Sequence, residues 1–598
     1  MHFSLRAREV TVLDLASRHR KTAAILGVLA VGLMAASPLL DPRLIHGSDT
    51  LPHYYTLVQL DHLVRQGILY TRWFPHEASG FGAPFFQYYA PLAYYVSEVF
   101  ALLGLEMLVA FRLAWGLTLV GSALGMYIWA RDMLDEGPAL VAATAYVCSP
   151  YVLFNAFFRG GFTEQFALML MPWVLWAFRR LAVTRRALYL AAGALGYAAL
   201  NLVHTLTALI FSPALLAYTI VLAKEYARPP RGLRAWRNQL LTQWVAIGLG
   251  LALSAFFWLP AFTERNAVMT ELVSANPAVD YRYNFIPLRA LLSTPMTSAP
   301  RPSLNLVAVS LGVVALFAQV KKPTRHSAVS EVWLSALIAG GCTLLTLPSA
   351  RLVWEALPGL SLFQFPHRFL SVAVLFLALL AGVGVQGLGH ILRAQKTRLV
   401  RWLYFGLLLV VLGLLVGQTR VLPRVKYYPP LPHIDVEFIM QKEREAAPML
   451  GRFKSVFTPA GVEELPPLEQ QAQDGPERLD LDSLPVDASL VAAEWGPLRY
   501  DLVVSSPQAF SARFRTFYFP GWTARLDGQP VSIMVTEPHG QISVEVPAGE
   551  YRLVVWFAST PIRTAATLTS LVGVAALCLA TLALWWYDSK HLAEATMI

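Results

Sequence analysis

Charge is scarce in this chain of 598 residues. Asp, Glu, Lys and Arg supply 14% of it, against 56% apolar side chains, and mean hydropathy is +0.49. Soluble domains carry roughly a quarter charged residues, so an ordinary soluble protein is excluded. Cysteine is scarcer still. The three present, Cys148, Cys342 and Cys578, lie in or beside apolar runs, which excludes a disulfide framework and leaves buried thiols. Ionisable residues are few inside the apolar runs and no inverted repeat is visible, which disfavours a central transport site. No nucleotide-binding fold is evident. The net charge of +10 sits in short loops between apolar runs, so no nucleic-acid partner is expected.

Long apolar runs are what the chain has instead. About twenty helical residues cross a hydrocarbon layer of roughly 30 Å. Twelve crossings are expected: 22–40, 109–130, 138–155, 163–178, 187–203, 205–223, 239–260, 304–320, 331–347, 369–388, 401–417 and 562–587. The first run lacks a small-residue cleavage site and reads as a retained helix.

Basic residues fix the expected sidedness. Arg6, Arg8, Arg18, Arg20 and Lys21 outnumber Glu9 and Asp14, so the N-terminus should be cytoplasmic. The basic loops around Arg179 and Arg186, Lys224 and Arg237, Lys321 and Arg325, and Arg393 and Arg401 should share that side. Parity then forbids a full crossing by 85–105, which should lie along the surface or dip and return. Both termini, including the tail 588–598, should face the cytoplasm of a cell whose inner (plasma) membrane holds the chain. The outer regions become 41–108, 156–163, 261–303, 348–368 and 418–561.

The last of these is large enough for a domain. Its acidic, Pro-containing middle, 463–487, reads as irregular. Its second half reads as a small antiparallel sandwich, with a hairpin turn at Asp527-Gly528 and alternation through "QISVEVPAGEYRLVVWF". Trp522 reads as core, and Trp585, Trp586 and Tyr587 as an aromatic belt.

Polar groups gather in the outer loops. "IHGSDTLPHYY" brings His46, Asp49, His53 and Tyr54; "TRWFPHEASGFGAP" brings Arg72, His76 and Glu77. "FFRGGFTEQ" adds Arg159 and Glu164, and His204, Glu264 and Arg265 follow. "LFQFPHRF" closes the set with Gln364, His367 and Arg368. A carboxylate such as Asp49 or Glu77 can take a proton from a hydroxyl. Arginines can hold a phosphate or diphosphate. Plainer roles stand beside these: Asp49 as a helix cap, Glu164 pairing with Arg159 across Gly160-Gly161, His204 as a helix-end residue, Arg368 snorkelling to lipid.

A basic N-terminus, one helix and an acidic residue opening a long first outer loop resemble the GT-C superfamily of polyprenol-dependent glycosyltransferases. "WFPHEASGFGAPFFQYYAPLAYYVSEVF" is similar to the loop of those proteins that ends in a juxtamembrane helix. "FRGGFTEQFALMLMPWVLWAF", "LFQFPHRFLSVAVLFLALLAGVG" and "FYFPGWTARLDGQPVSI" resemble, more narrowly, the bacterial YfhO-like and "6-pyruvoyl-tetrahydropterin synthase-related" membrane proteins. No soluble pterin-synthase domain or zinc-histidine site accompanies that label.

The resemblance implies a GT-C-like transmembrane module over 1–417, an extracytoplasmic domain over 418–561 and a final transmembrane helix over 562–587. It implies an inverting transferase moving sugar from a polyprenyl-phosphate donor to a glycan, lipid or protein acceptor on the outer face. Asp49 matches the usual base, Glu77 the assisting carboxylate and, less well, Glu98. His53, Tyr54, His76, Arg159, Glu164, His204, Arg265, Gln364, His367 and Arg368 would bind substrate. Ser48 and Thr50 flank Asp49 where the superfamily often has paired acids, and no first-loop metal cluster stands out. No cofactor is expected; a metal-independent site that uses arginines for the phosphate is preferred, with a divalent metal as the alternative. A lipid or glycan transporter, or a silent GT-C-like scaffold, are the alternatives.

Overall fold

The computed structural model describes residues 21–227, 232–268, 280–293, 301–321, 329–357, 359–393, 397–445, 478–537 and 539–596. All twelve apolar runs are helical. Eight helices are long and apolar enough to cross a membrane, or up to ten if each of two bent pairs is one span. The eight are α1 (Lys21–Leu40), α4 (Met107–Arg131), α5 (Glu136–Arg159), α6 (Phe162–Thr184), α8 (Thr205–Glu225), α13 (Leu370–Arg393), α14 (Arg398–Val416) and α16 (Pro561–Thr596). One bent pair joins α9 (Leu233–Leu253) to α10 (Ala255–Thr263) at 72°, and the other joins α12 (Val329–Leu344) to 348–356 at 88°. The remaining two runs form shorter helices, α7 (Ala187–Val203) and α11 (Leu306–Lys321).

The stretch 85–105 does not cross. Pro84 and Pro91 break it into one turn, Phe85–Tyr88, and the 11-residue α3 (Leu92–Leu102). At 1.5 Å per residue α3 reaches only about 16 Å. Before it lies α2 (Thr50–Arg65), a 16-residue rod within the first loop.

Helices α5 and α13 are the innermost, each 89% buried, whereas α16 is 17% buried and α14 22%. Hydrophobicity on every face of α13 therefore serves protein contacts, and on α16 serves lipid. Glycine lets α13 approach its neighbour closely: a Cβ at Gly384 would stand 2.2 Å from the Leu311 carbonyl of α11.

At the end of α6 away from Glu164, Arg179 meets Glu331 of α12. The Glu331 carboxylate, 1% exposed, accepts from Arg179 Nε at 3.2 Å, Tyr218 Oη at 2.7 Å and Tyr226 Oη at 3.1 Å. Asp132 adds a second carboxylate 3.5 Å from Arg179. Four helices are tied there by the hydrogen bonds to Glu331 and the charge contact of Asp132 with Arg179.

The C-terminal domain is two antiparallel sheets. One runs β1 (Ser489–Trp495), β2 (Arg499–Ser506), β8 (Gly549–Phe557), β4 (Trp522–Leu526), β5 (Gln529–Val531), in that spatial order; the other runs β3 (Phe510–Phe517), β7 (Gln541–Val546), β6 (Met534–Val535). Asp527 (φ 49°) and Gly528 (φ 80°) make the tight β4–β5 turn, as their types require. Of the acidic middle, 463–477 lies outside the described residues.

Packing does not divide at 418. Val421, Val425, Ile434 and Ile439 belong to the helical core, and α15 (Val436–Glu445) lies on the first loop, where Ser79 N–H donates to Glu443 at 2.7 Å. Conversely, Trp73, Ala78 and Phe81 of the first loop enter the β core, Trp73 edge-on to Trp522 at 5.7 Å. Trp522 is 4% exposed and is core. Glu264 fastens the junction, accepting from Gln87 at 2.7 Å, Thr560 at 2.7 Å and Arg563 at 2.8 Å.

Candidate functional site

Asp49 occupies the N-cap position of α2 without capping it: its carboxylate bonds no backbone N–H of the helix. Its Oδ2 instead lies 3.3 Å from Arg159 Nε. The Asp49 N–H and Ser48 Oγ both donate to the Arg159 carbonyl, at 2.8 and 2.9 Å. The two loops can meet because Gly160 has φ +76° and no side chain; a Cβ there would stand 2.1 Å from Thr50 Oγ1.

Arg159 ends a π-helical turn, Asn155–Arg159, that closes α5. Such turns widen a helix locally and recur at functional sites. Its guanidinium bonds the Glu164 carboxylate and, at 3.2 Å, Asn155 Oδ1. The other Glu164 oxygen accepts from Tyr151 Oη at 2.6 Å. Glu164 is 1% exposed and both its oxygens are held, whereas the Asp49 side chain is 43% exposed. Asp49 is the accessible carboxylate.

Arg368 closes the cluster from the start of α13. It is 7% exposed and interacts electrostatically with Arg159 and Glu164. Its NH1 donates to the Phe363 carbonyl at 2.8 Å and to Gln364 Oε1 at 3.3 Å. Among the described residues no carboxylate lies within ion-pair distance of it. Its Nε is buried without a partner, as are His367 Nε2 and Gln165 Nε2. His367 stands edge-on to Phe154, one turn before the Arg159 end of α5, at 6.3 Å. His204 heads α8, its Nδ1 accepting from the Thr207 N–H at 3.2 Å, and interacts electrostatically with Glu164.

The other expected residues stand elsewhere. His53 lies behind the loop, Nδ1 paired with Tyr94 Oη at 2.7 Å and its ring against Phe162. Tyr54 packs on Phe111, and burial pushes its phenol up. His46 stacks on Tyr428 at 4.4 Å.

Glu77 is a correction: it accepts from Gln59 at 3.0 Å, ten residues along α2, about 15 Å of helix from Asp49. His76 goes with it, against His62 at 5.1 Å. Burial, with Arg478 and His62 nearby, pushes its imidazole down to about 3. Glu98 also faces that far half of α2; burial and Asp61 push it up to about 7. Arg72 donates to Gln87 and the Phe256 carbonyl. Arg265 is exposed and lies over Phe262 at 4.6 Å, on the side of the Glu264 junction. The rigid rod of α2 separates these groups from Asp49, a separation that loop sequence does not display.

Tyr151, Asn155 and Gln165 are site residues that the apolar runs hid. Tyr151, Asn155 and Arg159 recur at i, i+4, one helix face, which was the available signal. Arg159 and Tyr151 hold Glu164, and among the described residues no group of three or more His, Cys, Asp or Glu side chains is placed to share a cation.

A curated protein of Lactococcus lactis subsp. cremoris, described as uncharacterized, is 22% identical over 238 residues, covering 39% of this chain; the chain spans only 38% of that relative's length. The fold is similar to arabinofuranosyltransferase AftD from Mycobacteria (TM-score 0.46, 18% identity, 68% of this chain and 27% of that one). It is also similar to ArnT from Cupriavidus metallidurans, solved with undecaprenyl phosphate (0.44, 13%, 70% and 77%). The Archaeoglobus fulgidus oligosaccharyltransferase is a third (0.40, 14%, 67% and 55%). Residues 86–421 match the model of the 6-pyruvoyl-tetrahydropterin synthase related domain, described as a membrane protein. That match takes in Arg159, Glu164, His204 and Arg368, and the chain belongs to this family of membrane proteins.

Proposed function

We propose that the chain is a membrane glycosyltransferase that moves a sugar from a polyprenyl-phosphate donor to an acceptor hydroxyl at the extracytoplasmic face, with inversion. One observation carries the reading. An accessible carboxylate, Asp49, contacts Arg159, and the same Arg159 interacts electrostatically with a buried arginine, Arg368, that among the described residues has no carboxylate within ion-pair distance. A base close to a cation that lacks an ion-pair partner suits a reaction in which a proton leaves one reactant and negative charge grows on another.

Asp49 takes the acceptor proton as the acceptor oxygen attacks the anomeric carbon from the face opposite the phosphate. The C–O bond to phosphate breaks and its electron pair stays on the phosphate, which Arg368 receives. Arg159, 3.3 Å from Asp49, links the two events. Once Asp49 is protonated, Arg159 loses one of its two anionic partners as the leaving phosphate gains charge. Glu164, bonded to Arg159 and Tyr151, keeps that guanidinium in place. The exposed apolar faces of the outer helices suit a prenyl tail arriving through the bilayer.

Asp49→Asn tests the assignment. The variant should fold and unfold as wild type does and lose transfer from purified lipid-linked sugar. Wild-type turnover by it would remove Asp49 from the base role.

A further inference from the structure

We infer that Gln364 is a positioning residue, whose strained backbone and side-chain amide hold the Arg368 guanidinium ready for an anionic head group. This rests on the transferase reading above. Gln364 has φ 60° and ψ −46°, which few non-glycine residues adopt. The Phe365 N–H donates back to the Phe363 carbonyl at 2.5 Å, so residues 363–365 form a three-residue γ-turn of the rare, strained sense. Pro366 follows and restricts Phe365 to extended backbone, here φ −119° and ψ 111°. The turn therefore cannot relax by joining the helix.

Each residue of the turn holds the same guanidinium. Phe363 does so through its carbonyl at 2.8 Å, Gln364 through Oε1 at 3.3 Å, and Phe365 through its ring face, 5.1 Å from Cζ. All three contacts are uncharged. They fix the direction of Arg368 without forming an ion pair, and its Nε stays buried and unpartnered. Strain of this kind persists where the surroundings enforce it, and it gathers at ligand sites. A relaxed Gln364 would turn the Phe363 carbonyl and the amide away from Arg368 together.

The test compares full-length wild type with Gln364→Gly and Gln364→Glu in detergent. The readouts are the midpoint of thermal unfolding without added lipid and the binding of a polyprenyl phosphate. Glycine accepts positive φ, and glutamate would pair with Arg368, so both variants should unfold at or above the wild-type temperature. Gln364→Gly should bind the lipid about tenfold more weakly, the size of one lost charge-assisted hydrogen bond. Gln364→Glu, which neutralises Arg368, should show no binding. The same ranking with inorganic phosphate would support head-group recognition; the same ranking with polyprenol, which lacks the phosphate, would overturn it. Wild-type affinity in either variant, or a lowered midpoint in Gln364→Gly, also overturns the inference. Failure of wild type itself to bind polyprenyl phosphate would instead defeat the transferase reading, while the midpoints would still decide whether the turn is strained.

Discussion

The two ends of the helical bundle solve the same problem in opposite ways. Each places an arginine, a buried glutamate and at least one tyrosine between helices that would otherwise meet through apolar side chains. At the Arg179 end, Glu331 receives one guanidinium and two phenols, and Asp132 backs the arginine. At the Arg159 end, Glu164 is held as closely, but Asp49 stays 43% exposed and Arg368 has no acid beside it among the described residues. Buried ionic groups are costly unless fully partnered. An end whose buried arginine has carboxylate partners therefore reads as a fastening between helices, and one whose buried arginine lacks them as a place prepared for something else.

Three substitutions would break or sharpen that contrast. Glu331→Gln strands Arg179 with Asp132 alone and should lower unfolding stability by roughly 3 kcal/mol, the low end for breaking a buried pair. Turnover per folded molecule should hold. Arg368→Gln should do the reverse, reducing turnover about 10²–10³-fold, as loss of an electrostatic stabiliser does, with the unfolding midpoint unchanged or raised. Equal stability losses in both variants would erase the distinction between the two ends. Arg265→Ala, at an exposed position outside either network, should change stability by less than about 0.5 kcal/mol and leave turnover alone. A turnover defect there would place Arg265 back among the substrate contacts.

Helix positions were legible in the sequence because membrane helices are encoded locally, by length and hydropathy. The parity of the basic loops argued against a full crossing by 85–105, but the bounds of the short α3 that stands there were not themselves foreseen. The hairpin at Asp527-Gly528 was equally local. The edge strand β1 was not, since Val491 is exposed and Leu490 only half-buried, which leaves little alternation. The grouping of the candidate residues was legible where they sit at helix ends and turns, as Asp49, Arg159, Glu164 and Arg368 do. It was obscured where a rigid element carried polar residues apart. His76 and Glu77 share a loop with Asp49, yet α2 sets them far along its length. Tyr151 and Asn155 were hidden for the opposite reason, looking like ordinary members of an apolar helix.

The exchange of side chains between the first loop and the β domain sets an order on biosynthesis. Arg478 donates to the Pro75 carbonyl across 403 residues of chain, and Trp73 rests on Phe519, Trp522 and Phe557. At about 5–20 residues per second, translation separates the first partner from the second by some 20 to 80 s. Through that interval a newly inserted copy holds its first loop with Trp73 and Phe81 uncovered, so truncation anywhere before the last strands should leave the loop open to protease even when the helices are already seated.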